Sequence, residues 1–126
     1  MQSYVESRSH TLMNHIKLDT NVMKHPSQDG IFIRDLYLGE DTGGGLSNRE
    51  ITVLPGFGIE PHTHGESEFF YVIEGSGEFL DDTVWRQVRK GDAFTAPKGM
   101  NHCIRNTGLV NLMVLSAFSP SFVVEY

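Results

Sequence analysis

The chain has almost no cysteine: Cys103 stands alone among 126 residues. One thiol cannot close an internal disulfide, so a cross-linked scaffold is excluded and a reducing compartment is expected. Positive charge is also scarce. Ten Lys and Arg face sixteen Asp and Glu, for a formal net charge of −6. The longest basic stretch, 86–90, holds three charges and the rest are scattered. That is a poor footprint for nucleic acid or for an anionic membrane surface, and neither is expected as a partner. No apolar run approaches the roughly eighteen residues that a membrane-spanning helix needs. The opening MQSYVESRSHTLMNH lacks the apolar core of a signal peptide, so the expected location is the cytoplasm. Sustained 3.6-residue periodicity is missing too, and the best helix candidate, around 9–17, is weak.

What the chain does have is punctuation. Thirteen glycines and five prolines separate short runs rich in Val, Ile, Phe and Tyr. Strands are expected at 31–38, 49–54, 59–64, 68–74, 76–81, 84–88, 93–96, 101–106 and 110–118. Turn signals lie between them, among them Pro55-Gly56, Gly75, Lys90-Gly91-Asp92 and Pro97-Lys98-Gly99. Short strands with frequent turns read as an all-β sandwich or barrel. The length fits one domain with a core of its own. The expected organisation is an N-terminal arm at 1–30, a β-domain at 31–118 and a tail at 119–126.

The chemistry gathers in two places. In His62-Thr63-His64, residues two apart on a strand share a face, so both imidazoles point one way. Glu68 opens the next apolar run, in step with Phe70 and Val72. A buried carboxylate needs a strong partner. A metal would serve. So would an arginine, but Arg49 and Arg86 belong to other strands. His102 opens a later apolar run after the rigid turn Pro97-Lys98-Gly99. Three imidazoles and a carboxylate suit one divalent transition metal: Fe, Mn, Ni, Co, Cu or Zn. Four ligands on an octahedral ion leave positions open for chemistry, as a closed structural site does not.

These residues resemble the cupin superfamily, in the form of a small single-domain microbial cupin. Gly56, His62, His64, Glu68 and Gly75 match its first motif, with five, one, three and six residues between them. Gly91, Pro97, Gly99, His102 and Asn106 match the second, with five, one, two and three between. Each of these positions is hit by chance about one time in twenty, so coincidence is implausible. The fifteen residues 76–90 resemble the short spacing between motifs in small cupins. The resemblance implies a jelly-roll β-barrel (a double-stranded β-helix) with His62, His64, Glu68 and His102 as metal ligands in its mouth. It implies glycine-only turns at Gly75 and Gly91 and a structural role for Asn106.

Other residues take weaker readings. Phe69, Tyr71 and Ile73 make the second face of the 68–74 strand apolar, which suits a homodimer contact. Trp85 reads as core, Cys103 as a small buried hydrophobe, and Phe94 and Met100 as cavity wall. His10, His15 and His25 lack ligand spacing and read as surface residues. Glu60 shares the parity of His62 and is either a second carboxylate at the mouth or a solvated charge. Three functions fit a small-molecule substrate or ligand. The first is a metal-dependent oxygenase such as a dioxygenase. The second is a non-redox lyase, isomerase or hydrolase of a small acid or sugar derivative. The third is a binding module without turnover.

Overall fold

The computed structural model describes residues 20–121. Nine strands follow in chain order: β1 (Val22–Lys24), β2 (Ile31–Tyr37), β3 (Ser47–Val53), β4 (Ser67–Glu74), β5 (Ser76–Asp81), β6 (Val84–Arg89), β7 (Ala93–Ala96), β8 (His102–Arg105) and β9 (Leu112–Ser119). Six form one sheet in the order β1-β2-β3-β9-β4-β7, and three form a second, β6-β5-β8. Every ladder is antiparallel. Strands distant in sequence, β3 and β9, lie side by side with β4, so the chain winds as the expected jelly roll does. Among the described residues there is no α-helix, only a 3-10 turn at Gly39–Asp41, and no helix long and apolar enough to cross a membrane.

Alternation along the strands builds the core. On β9, Leu112, Val114, Ser116 and Phe118 are buried; on β4, Glu68, Phe70 and Val72; on β3, Ser47, Arg49, Ile51 and Val53. One apolar cluster joins Ile31, Ile51, Val72 and Val114 of the large sheet to Phe79, Val88 and Ile104 of the small one. Each such side chain contributes about 1.5–3 kcal/mol by leaving water, and together they clamp the two sheets. The inward polar residues Ser47, Arg49, Glu68 and Ser116 all lie toward one end of their strands, which is the end that carries the site. Register sets their neighbours: Arg49 lies opposite Ser116, Ser116 opposite Phe70, and Glu68 opposite Phe118.

Turns depend on glycine at two motif positions. Gly75 has φ +83°, and a Cβ there would lie 2.4 Å from the Asn111 carbonyl oxygen. Gly91 has φ +92° with open space around it, so its requirement is backbone conformation alone.

Several expectations are corrected. Segment 59–64 is not a strand; only the isolated bridge His62↔His102 forms within it, with Gly58↔Arg105 just before it. Pro61 lacks the N–H that a continuous ladder needs. Val22–Lys24, inside the segment read as an arm, is a strand paired with β2. Trp85 is not in the core: it is half-buried, and the Arg105 guanidinium carbon sits 3.6 Å from the centre of its ring. Phe94 and Met100 pack against the core cluster and do not line the cavity. Phe94 stacks on Phe70 with ring centres 5.1 Å apart. The helix candidate at 9–17, with His10 and His15, lies outside the described residues.

Candidate metal centre

One connecting segment and two strands bring the four sequence-selected residues together. His62 and His64 come from the segment before β4, Glu68 from β4 itself, and His102 from the first position of β8. The reciprocal backbone bonds between His62 and His102, both 3.0 Å, pin the pre-β4 segment to β8. Gly99 N–H donates to the His64 carbonyl at 2.9 Å and fixes the other side. The ligand atoms of His62, His64, Glu68 and His102 all lie within 4.8 Å of one another.

The ring nitrogens have divided roles. Nδ1 of His62, His64 and His102 donates to the carbonyls of Glu60, Glu66 and Met100 at 2.8, 2.9 and 2.8 Å. A neutral imidazole that donates from Nδ1 keeps its lone pair on Nε2. Yet Nε2 of His64 and of His102 faces Glu68 Oε1 at 3.0 and 3.1 Å. Lone pairs aimed at a carboxylate oxygen require positive charge between them. Protons can supply it only by charging the imidazoles, whereas one divalent ion meets the demand of all four groups. The donor set therefore fits a metal, with the backbone carbonyls orienting each ring as an outer shell does.

Electrostatics agree. Burial opposes ionisation of Glu68, which is 5% exposed. With the imidazoles charged, hydrogen bonds from His102 and His64, joined by that of Ser116, outweigh burial and hold the carboxyl at about 2. Ser116 Oγ donates to Glu68 Oε2, leaving Oε1 turned to the histidines. Glu68 raises His64 above the usual imidazole value, while burial lowers His62.

Next to the quartet lies a cavity of about 290 Å³. Its wall includes Ile31, Ile33, Ile51, Ile59, Phe70 and Phe118. Glu60 stands exposed at its rim, and Cys103, 4% exposed, borders it. Burial pushes the Cys103 thiol up to about 11, so it is not a thiolate at neutral pH. Two titratable lining residues escaped the sequence reading. His25, read as a surface residue, is half-buried at the rim. Arg49, set aside as part of another strand, is 7% exposed and lines the cavity. Arg49 had a signal: it shares the inward parity of Ile51 and Val53. His25 had none.

A jelly roll with three histidines and a glutamate converging beside a cavity defines a β-barrel protein with a metal-competent mouth. The chain belongs to the cupin family: the model of the Cupin domain matches residues 49–118. Nectarin-1 of Nicotiana plumbaginifolia is 36% identical over 81 residues, covering 60% of this chain and 35% of that protein. The chain spans about a third of the length of that curated relative and of a germin-like protein of Arabidopsis thaliana. An uncharacterised protein of Methanocaldococcus jannaschii is 30% identical over 116 residues, covering 90% of this chain and 93% of that one. Among solved structures, a predicted oxalate decarboxylase of Thermotoga maritima superposes with a TM-score of 0.74 at 23% identity, covering 82% of this chain and 94% of that one. That likeness is one of fold.

Proposed function

We propose that this chain is a metal-dependent enzyme of the dioxygenase type. Its site is the quartet His62, His64, Glu68 and His102, and it acts on a small organic molecule held in the adjoining cavity. The observation that carries the reading is the convergence of four ligand atoms within 4.8 Å, with every Nδ1 already engaged by a backbone carbonyl. When bound, a divalent transition metal supplies Lewis acidity and, if redox-active, electron exchange with substrate and dioxygen. The chain's own residues do the rest. Ser116 holds one oxygen of Glu68 and leaves the other free to face inward. The isoleucines and Phe118 exclude water and favour an apolar co-reactant such as dioxygen. Outside the quartet, the titratable side chains of the wall are His25, Arg49, Glu60 and Cys103.

A non-redox lyase, isomerase or hydrolase is the second reading. It is favoured by His25 and Glu60, two proton-carrying side chains at the rim. The lone thiol Cys103 suits the reducing cytoplasm, and the apolar outer face of β4 suits a homodimer.

Elemental analysis of untagged protein, beside oxygen consumption of the Fe(II)-loaded form with small carboxylates and catechols, tests the proposal. One metal per chain with iron-dependent uptake is expected. His64→Ala or His102→Ala should lose most of the metal and all uptake. One metal without uptake moves the assignment to the non-redox enzyme or to a binding module. No metal after reconstitution overturns the reading.

A further inference from the structure

Glu66 stands between His64 and Glu68 in sequence, one residue before β4, and repeats the parity of Glu68. Alternate residues of extended chain share a face, and both carboxylates turn toward the ring of His64. Nε2 of that ring is 3.0 Å from Glu68 Oε1, and Nδ1 is 3.6 Å from Glu66 Oε1. The Glu66 side chain is 23% exposed, yet its Oε1 is buried and accepts no hydrogen bond. A carboxylate oxygen shut from water without a donor costs solvation. At 3.6 Å the oxygen is beyond hydrogen-bond reach of Nδ1. The Nδ1 proton goes to the carbonyl of the same residue, at 2.9 Å. The backbone of Glu66 thus fixes the ring, and its carboxylate puts charge behind it.

The other two rings are held differently. His62 and His102 donate from Nδ1 to the carbonyls of Glu60 and Met100, each two residues before the histidine. His64 reaches two residues forward, across Gly65, and meets a residue whose side chain also carries charge. Among the described residues no other carboxylate pairs with an Nδ1 of the quartet. Negative charge beside one ring N–H draws on its proton and makes the opposite nitrogen a better donor to a metal.

We infer that Glu66 is a positioning residue of the metal centre: its carboxylate backs Nδ1 of His64 and makes that ring the strongest imidazole donor of the quartet. The inference rests on the proposed metal-dependent function and adds a residue that sets how tightly the ion is held. Zinc, which has no redox chemistry, is the probe, and its affinity for the whole chain is read by competition with a chromophoric chelator. Glu66→Gln keeps the size and removes the charge. It should weaken zinc binding by about tenfold or more, as loss of an outer partner of a histidine ligand does. It should still take one ion per chain at saturation and keep the melting temperature of the metal-free protein. Glu66→Asp returns the charge and should recover part of the loss. Glu74→Gln removes an equal charge about 20 Å away along β4 and should leave the affinity unchanged. A second readout needs no metal. By nitrogen NMR at about pH 9, where imidazoles are neutral, His64 Nδ1 should resonate downfield of Nδ1 of His62 and His102. Glu66→Gln should move it upfield and leave the other two in place. Zinc affinity that is unchanged in Glu66→Gln, or lowered equally in Glu74→Gln, overturns the inference. So does a His64 resonance that ignores the substitution. If Glu66→Gln does not fold, the wild-type comparison of the three rings decides. A wild type that binds no zinc defeats the metal reading itself, and there the metal-free spectra still decide whether Glu66 polarises His64.

Discussion

Asn106 shows how a single side chain can serve the site without touching it. Its amide donates to the carbonyls of Val53 and Val110 at 2.8 Å each, and its Oδ1 accepts from Gly108 N–H at 2.8 Å. At 3% exposed, it joins the end of β3 to the loop that leads into β9. Alanine would strand the buried Val53 carbonyl and take a partner from the Val110 carbonyl and the Gly108 amide. Asn106→Ala should therefore cost about 3 kcal/mol in urea unfolding and leave the metal content of the folded protein unchanged. Loss of metal at unchanged stability would reverse that assignment. The role was readable in advance only because Asn106 falls on a motif position. The quartet was readable for the same reason, since His62, His64, Glu68 and His102 keep a fixed spacing. His25 has no spacing to betray it, and Arg49 has only the inward parity it shares with Ile51 and Val53. They reach the cavity through β3 and through the β1–β2 connection, and the pairing that brings those elements to the mouth is long-range.

At the scale of elements, alternation made most strands legible. Every strand from β2 to β9 falls within two residues of its expected bounds. Alternation failed at 59–64 because Pro61 interrupts the hydrogen-bond ladder while the polarity pattern runs on. It missed β1 because three exposed residues, Val22, Met23 and Lys24, carry no buried face to read. Residues 25–30, which join β1 to β2, form a loop that His25 organises. Its Nδ1 accepts from Ser27 N–H at 3.2 Å and Gln28 N–H at 3.0 Å, and Gln28 Oε1 accepts from Glu60 N–H at 2.8 Å. Burial, then the charge of Arg49, lowers the His25 pKa below 6.5. As pH falls the unfolded chain takes up its proton first. The contribution of His25 to stability is therefore complete above about 6.5 and is lost as pH falls toward the folded value. Protonation at Nδ1 would also break both backbone bonds. A proton NMR titration should place the His25 midpoint below 6.5, with the Ser27 and Gln28 amide shifts moving at the same midpoint. A midpoint above 6.5, or amides that ignore it, would remove His25 from that role.

For the whole molecule, the outer face of β4 sets the remaining question. Phe69 and Tyr71 are each 42% exposed. Phe69 lies between Ala117 of β9 and Thr95 of β7, and Tyr71 between Leu115 and Ala93. These six residues form a stripe without charge across β9, β4 and the edge strand β7, on a chain whose net charge is −6. Two copies can meet there without opposing like charges, and a two-fold axis would pair the stripe with itself. Sequence alternation pointed to this face, because both sides of 68–74 are apolar. What covers it could not be read, since parity gives the face and not its partner. A homodimer is expected, so sedimentation at micromolar concentration should give twice the chain mass. Phe69→Glu with Tyr71→Glu should give the single chain mass and leave metal content intact, because both side chains point away from Glu68 and Phe70. A wild-type chain that sediments as a monomer would mean that something other than a second copy covers the stripe.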